Sequence, residues 1–335
     1  GGRLTATAHE RFKAFIEAHG EFLILSHVDP DADAIGSCLA LARVIRGLGK
    51  SPTVVNDSPL PESLAFLPDS NTVLRPADVA GRRFDAVFVL DCSSLDRVGA
   101  EAARLVAPGV PVANVDHHAA NDGFGDPRLV NVEASATAEL IHEILESCGL
   151  PIDADTAECL YAGVASDTGA FRHPNTTPRA LHLAARLVER GARPALTAEA
   201  LYGRKSEASL KILGMALTSL ESRSGGQVAV ITLSRDMFER ARAKSEDADG
   251  IVQFAKALAG TRVGLLVQEV APGDIRLSFR SDGSVDVNAV AARFGGGGHK
   301  QAAGARVKGD LRAIHDQALQ VLDKAVNGGL PPSAG

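Results

Sequence analysis

Four short acidic and histidine-bearing segments stand out in the chain: His27-Val28-Asp29-Pro30-Asp31-Ala32-Asp33, a single Asp91, the run Asp116-His117-His118, and Asp167. Carboxylates and imidazoles without thiolates suit hard or borderline divalent ions, Mn²⁺ first, with Mg²⁺ or Co²⁺ as alternatives. Packed together without cations, several aspartates would repel and raise one another's pKa values. Two divalent ions would remove that conflict and acidify a water lodged between them. Held ~3.5–4 Å apart, such ions stabilise both the attacking and the leaving oxygen of phosphoryl transfer.

Each segment follows an element able to position it. Phe22 to Leu25 reads as a buried strand, and so do Asp85 to Leu90 and Pro111 to Val115. Thr53 to Val55 reads as a short one. Ala34 to Leu48, Ala134 to Cys148 and Ala154 to Ser166 carry helical patterns. Continuous apolar strands separated by helices indicate a doubly wound parallel sheet of α/β class. Ligands of such sheets bind at the carboxyl ends of the strands, where three of the four segments fall. A lone Asp after a strand is often only a helix N-cap, and Asp33 before Ala34-Ile35 fits that role. The joint pattern is not explained by capping.

A second constellation lies near the other end of the chain. Phe294 is followed by Gly295-Gly296-Gly297-Gly298-His299-Lys300. Four glycines leave backbone N–H groups unshielded, so a phosphate can approach them. With His299, Lys300 and Arg280 nearby, an anion site is expected. No GxxxxGK[ST] or strand-linked GxGxxG is present, which excludes the common nucleoside-triphosphatase and dinucleotide loops. Arg172, His173, Asn175 and Thr176 follow Asp167 and are candidates either for a phosphate or sugar contact or for capping the loop. His9, His19, His142, His182 and His315 fall in helical patterns and are expected at the surface, and Tyr161 in the core. The cysteines, Cys38, Cys92, Cys148 and Cys159, form no CxxC pair and read as inert thiols of a reducing compartment.

On these motifs the chain resembles the DHH-type phosphoesterases. The matching residues are His27 to Ser37, Val89 to Ser93, Asp116-His117-His118 and Ser166 to Phe171. The resemblance implies that His27, Asp31 and Asp91 hold one ion. Asp33, Asp91, His117 and Asp167 would hold the other, with Asp91 bridging. His118 would act at the phosphate, and Asp29 and Asp116 would orient imidazoles. Phe279-Arg280-Ser281, Val285 to Asn288, Phe294 to His299 and Ala302-Ala303-Gly304 resemble the C-terminal substrate-binding domain of the family's small oligoribonuclease branch. There, Arg280, Ser281, Gly295, Gly296, Gly297, Gly298 and His299 would grip the nucleotide. Ala32 and Ala136 depart slightly from the family pattern without touching a catalytic position. The branch implies hydrolysis of RNA fragments of a few nucleotides and removal of the 3'-phosphate of 3'-phosphoadenosine 5'-phosphate. A metal-bridging hydroxide would be the nucleophile. A cyclic or linear dinucleotide phosphodiesterase would use the same residues, and a non-catalytic nucleotide sensor is the alternative of another class.

The resulting division is a catalytic two-metal domain over residues 1–190, a helical linker over 191–222 and a smaller α/β substrate-binding domain over 223–330. Charge divides similarly: residues 223–335 carry a net +3 and the remainder a net -9, within a total of -6. No Trp is present and aromatic residues are 4%. The chain therefore lacks the basic, ring-lined surface that binds long single strands. The expected partners are short RNA and nucleotides, with a homodimer left open. No apolar run reaches the ~20 residues of a membrane span, and Gly1 to Phe22 holds no signal-peptide core. The expected location is cytoplasmic, and residues 328–335 read as a frayed tail.

Overall fold

The computed structural model describes residues 7–328, so most of the expected tail lies outside the described residues. The chain divides into two compact units between Arg204 and Lys205.

The first unit is built on five strands: β1 (Glu21–Leu25), β2 (Ser51–Val55), β3 (Ala86–Leu90), β4 (Val112–Asp116) and β5 (Arg128–Val130). They lie in the order β2-β1-β3-β4-β5, and every pairing is parallel. Their apolar runs are continuous because both faces are buried. Phe22, Ile24, Phe88 and Leu90 face one core, and Leu23, Leu25, Val87 and Val89 the other. Helices Ala8–Ala18, Ala32–Gly47, Thr137–Ser147 and Ala154–Asp167 contribute to the first core. The short turns Pro76–Val79, Leu95–Val98 and Ala100–Ala103 contribute to the second. The winding direction reverses between β1 and β3, which opens a crevice at their carboxyl ends.

Two glycines let the helices over this crevice approach closely. A Cβ at Gly36 would lie 2.4 Å from the Cys159 carbonyl oxygen, and one at Gly163 would lie 2.7 Å from Asp33 Oδ1. Tyr161 is buried in the same core. His142 departs from expectation: it is buried, and His315 is largely covered. Arg179 and Arg186 on helix Pro178–Glu189 pair with Glu143 and Glu146 of the neighbouring helix. Burial, followed by the charges of Arg186 and Arg190, lowers the His142 pKa to about 4.

The second unit holds a mixed sheet of β6 (Glu221–Arg223), β7 (Val228–Leu233), β8 (Val263–Ala271), β9 (Asp274–Ser281), β10 (Gly297–His299) and β11 (Ala302–Lys308). Their order is β10-β11-β9-β8-β7-β6. Only β7 and β8 pair in parallel. Helices Val287–Ala292 and Leu311–Val326 pack on one face, and Glu207–Thr218, Arg235–Ala241 and Val252–Lys256 on the other. The helical linker expected over 191–222 is not one continuous helix. Helix Pro194–Ala198 passes into a π-helical turn, Glu199–Gly203, and Ser206 then caps a new helix through its side chain. Among the described residues, no helix is long and apolar enough to cross a membrane.

Candidate active site

Asp91 is the centre of the polar cluster. It follows β3, is 3% exposed, and has φ = 56°, a left-handed conformation that Asp tolerates better than most residues. Its two oxygens face different groups. Oδ2 lies 3.4 Å from His27 Nε2, and Oδ1 lies 3.5 Å from His117 Nε2. His117 Nε2 also meets Asp167 Oδ2 at 3.1 Å, at the end of helix Ala154–Asp167. Each of these imidazoles is oriented by a backbone carbonyl. His27 Nδ1 donates to Val28 O at 2.8 Å and His117 Nδ1 to Ala134 O at 3.3 Å.

Asp31, not Asp33, is the N-cap of helix Ala32–Gly47: its Oδ1 accepts from the backbone of Asp33 and Ala34, both at 3.0 Å. This releases Asp33 for another partner. Helix Thr137–Ser147 begins after Ala136, which has no capping side chain. The buried Asp33 supplies the missing acceptor from a distant segment, taking the N–H of Thr137 at 2.6 Å and of Ala138 at 2.8 Å. The Thr137 hydroxyl donates to Asp91 Oδ1 at 2.9 Å. Thr137 was not evident from the motifs, since nothing in its spacing marks it. Replacing it by Val keeps the shape but removes the donor. The expected cost is about 10–100-fold in Mn²⁺ affinity or activity, read by calorimetry and steady-state kinetics.

The electrostatics fit a cation site. Three sets of side chains each bring their ligand atoms within 4.8 Å of one another: His27, Asp31 and Asp91; Asp33, His117 and Asp167; and Asp91, His117 and His118. Burial, then the charges of Asp167, Asp91 and Asp31, pushes Asp33 well above the usual carboxylate range. Burial likewise raises Asp167 to about 6, against the pull of His117. Burial opposes charge on His27 and His117, but their contacts with Asp91 and Asp167 outweigh it and raise both to about 9. So many carboxylates at one point are satisfied by protons on these groups or by divalent cations.

Asp116 is fully buried and accepts from His118 Nδ1 at 2.7 Å and from Asn121 Nδ2 at 2.7 Å. This fixes the His118 ring, which is half exposed, with Nε2 remaining for other partners. Asp29 stands apart. It is exposed, has φ = 52°, and exchanges bonds with Ser58. The Val28 carbonyl, and not Asp29, holds His27.

In the second unit, a cavity of about 800 Å³ is lined by Arg276, Ser278, Arg280, Gly296, Gly297 and Arg306, among others. Arg280 is tethered through Nη1 to Phe279 O at 2.9 Å. Burial, then the Arg276 charge, lowers its pKa, so an anion there would be welcome. Ser281 does not line the cavity. Its hydroxyl donates to Val285 O at 2.7 Å and accepts from Gly283, closing a turn. The glycines also divide. The N–H groups of Gly295 and Gly296 are consumed by Ala292 O and Ala291 O at the end of the preceding helix. Gly297, Gly298 and His299 form β10 against β11, with His299 exposed. Gly296 is required by packing, because a Cβ there would lie 2.1 Å from Gly304 O. Gly296→Ala should destabilise this unit by about 1–3 kcal/mol, measurable as an earlier denaturant transition.

An all-parallel sheet with Asp91 after one strand and Asp116-His117-His118 at the end of the next defines a known class. The DHH family N-terminal domain matches residues 21–164, and the DHHA1 domain matches residues 225–328. The chain belongs to the DHH family. It is 33% identical over 308 residues to the bifunctional oligoribonuclease and PAP phosphatase NrnA of Thermus thermophilus, covering 90% of this chain and 89% of that protein. It is 27% identical over 295 residues to the protein of the same name from Bacillus subtilis, covering 87% and 91%. Among solved structures, an exopolyphosphatase-related protein from Bacteroides fragilis superposes with a TM-score of 0.85 at 25% identity, covering 98% of this chain and 100% of that one.

Proposed function

We propose that this chain is a metal-dependent phosphoesterase that hydrolyses RNA fragments of a few nucleotides to mononucleotides. It also removes the 3'-phosphate of 3'-phosphoadenosine 5'-phosphate. The observation that carries this reading is Asp91, set between His27 on one side and His117 on the other, with Asp31, Asp33 and Asp167 completing two ligand groups. His27, Asp31 and Asp91 would hold one ion, and Asp33, Asp91, His117 and Asp167 the second. Mn²⁺ is the favoured ion, ahead of Mg²⁺ and Co²⁺. Divalent cations supply Lewis acidity, acidifying water and neutralising phosphate charge. The names of the similar Thermus and Bacillus proteins agree with this substrate class.

The remaining chemistry belongs to the chain. His118, braced through Nδ1 by Asp116, would present Nε2 to the phosphate or the departing oxygen and, in its doubly protonated form, donate a proton there. Its pKa is raised, chiefly by the Asp116 bond, which favours the proton-bearing form. Thr137 holds the Asp91 carboxylate in register. In the second unit, Arg280 and the Gly297–His299 strand would receive the nucleotide, although Gly295, Gly296 and Ser281 are occupied by structure.

The test is incubation of the purified protein with Mn²⁺ and a di- to pentaribonucleotide, with chromatography of the products. Mononucleotide release is expected, together with AMP from 3'-phosphoadenosine 5'-phosphate. Intact folding and bound metal without release from either would overturn the reading. Cyclic and linear dinucleotides belong in the same panel.

A further inference from the structure

The chain makes an unusual turn immediately after Asp167. Gly169, Ala170 and Phe171 have φ of 56°, 56° and 63°. Successive left-handed residues are disfavoured, and two of these carry side chains. Such strain persists only where the surroundings enforce it. Here Ala170 N donates to Ala165 O at 2.7 Å, Arg172 N donates to Thr168 O at 2.9 Å, and Phe171 packs against the core. His173 Nδ1 and Asn175 Nδ2 both bond the Asp167 carbonyl, so these two residues hold the loop.

Arg172 is used differently. The turn folds it back, and its Nε donates to Gly169 O at 2.7 Å. Its guanidinium carbon lies 5.9 Å from the centre of the Tyr202 ring. Tyr202 comes from the π-helical turn Glu199–Gly203, and its hydroxyl donates to Ala165 O at 3.0 Å. Burial raises the Tyr202 pKa, and the charges acting on its phenol include Arg172, Asp167 and Asp31. The Tyr202 hydroxyl thus reaches the backbone two residues before Asp167, at the edge of the carboxylate cluster. Among the described residues, no carboxylate pairs with the Arg172 guanidinium. A guanidinium seated over an aromatic ring, with Nε committed, leaves its two terminal nitrogens as a fork suited to phosphate.

We propose that Arg172, braced by Tyr202, receives a second, non-scissile phosphate of the substrate and makes the first unit selective for nucleotides bearing two phosphates. This rests on the phosphoesterase reading above. Arg172 is a specificity-determining residue, and Tyr202 a positioning residue.

Two nucleotides isolate the effect: 3'-phosphoadenosine 5'-phosphate and adenosine 3'-phosphate share base, sugar and scissile phosphate and differ only at the 5' position. The parent should prefer the first. Arg172→Met should erase about tenfold to a hundredfold of that preference in kcat/KM, the worth of one charged contact. Arg172→Lys should retain part of it. Tyr202→Phe should keep the preference and Tyr202→Ala should lose much of it, with circular dichroism verifying the fold of each. An equal loss on both nucleotides in Arg172→Met would overturn the inference. Calorimetric binding of the two nucleotides reads the same difference without turnover, so absent hydrolysis would count against the proposed function alone.

Discussion

Replacing Asp91 by Asn is expected to remove turnover of both short RNA and 3'-phosphoadenosine 5'-phosphate, by more than the ~100-fold that loss of a merely orienting group costs. Among the described residues, Asp91 is the one side chain whose two oxygens face two different histidines. Burial alone would raise its pKa, but His27, His117 and His118 outweigh that and keep it below the ordinary range. The carboxylate is therefore charged and ready for cations at neutral pH. Asn preserves the size and tolerates the positive φ, so the backbone should stay in place. Ala would confound the experiment by straining that position. Metal stoichiometry by calorimetry should fall alongside activity. A D91N protein as active as the parent would end the two-ion reading, whereas a parent that binds nucleotides without turning them over would favour a nucleotide sensor.

The second large effect is a pH dependence of opposite sign in the metal-free and metal-bound protein. His27 and His117 have ordinary pKa values of 6.5 and sit at about 9 in the fold. Groups raised in this way stabilise the metal-free fold fully below pH 6.5 and lose that contribution as pH climbs to about 9. Asp167, raised from 3.8 to about 6, acts in the same sense at lower pH, with its contribution gone above about 6. The chelated protein should therefore melt at progressively lower temperature between pH 6.5 and 9. Each cation must displace one imidazole proton, that of His27 at one position and of His117 at the other, so the Mn²⁺ affinity of each position should climb over the same interval by as much as about tenfold per pH unit. Calorimetry in buffers of differing ionisation enthalpy counts the released protons directly. Mn²⁺ binding with no proton release would show that these histidines are not ligands.

Much of this site was legible because its residues lie at the ends of strands that the apolar runs reveal. Once β1, β3 and β4 are placed in one parallel sheet, His27, Asp91 and His117 must converge. Less legible was whatever depends on the partner rather than the residue. The N-cap illustrates this: spacing points to Asp33, but Asp31 caps that helix and Asp33 accepts from the start of the Thr137 helix instead. Asp29 looks like its neighbours in the motif, but a left-handed turn points its bonds to Ser58. The glycine run exposes the same limit, since two of its N–H groups finish a helix and so are not offered to a phosphate. His142 sits in an amphipathic pattern that permits exposure, and it is the covering helix Pro178–Glu189 with its arginines that buries it.

Thr137 has a consequence beyond its own bonds. Its backbone N–H reaches Asp33 and its hydroxyl reaches Asp91, so one helix end serves as a common abutment for both ligand groups. A cation that draws either carboxylate inward must pull on the same anchor. Loading of the two positions should then be cooperative, and a Mn²⁺ titration should depart from the sum of two independent isotherms. The pair of sites would behave as a single mechanical unit, assembled or released together.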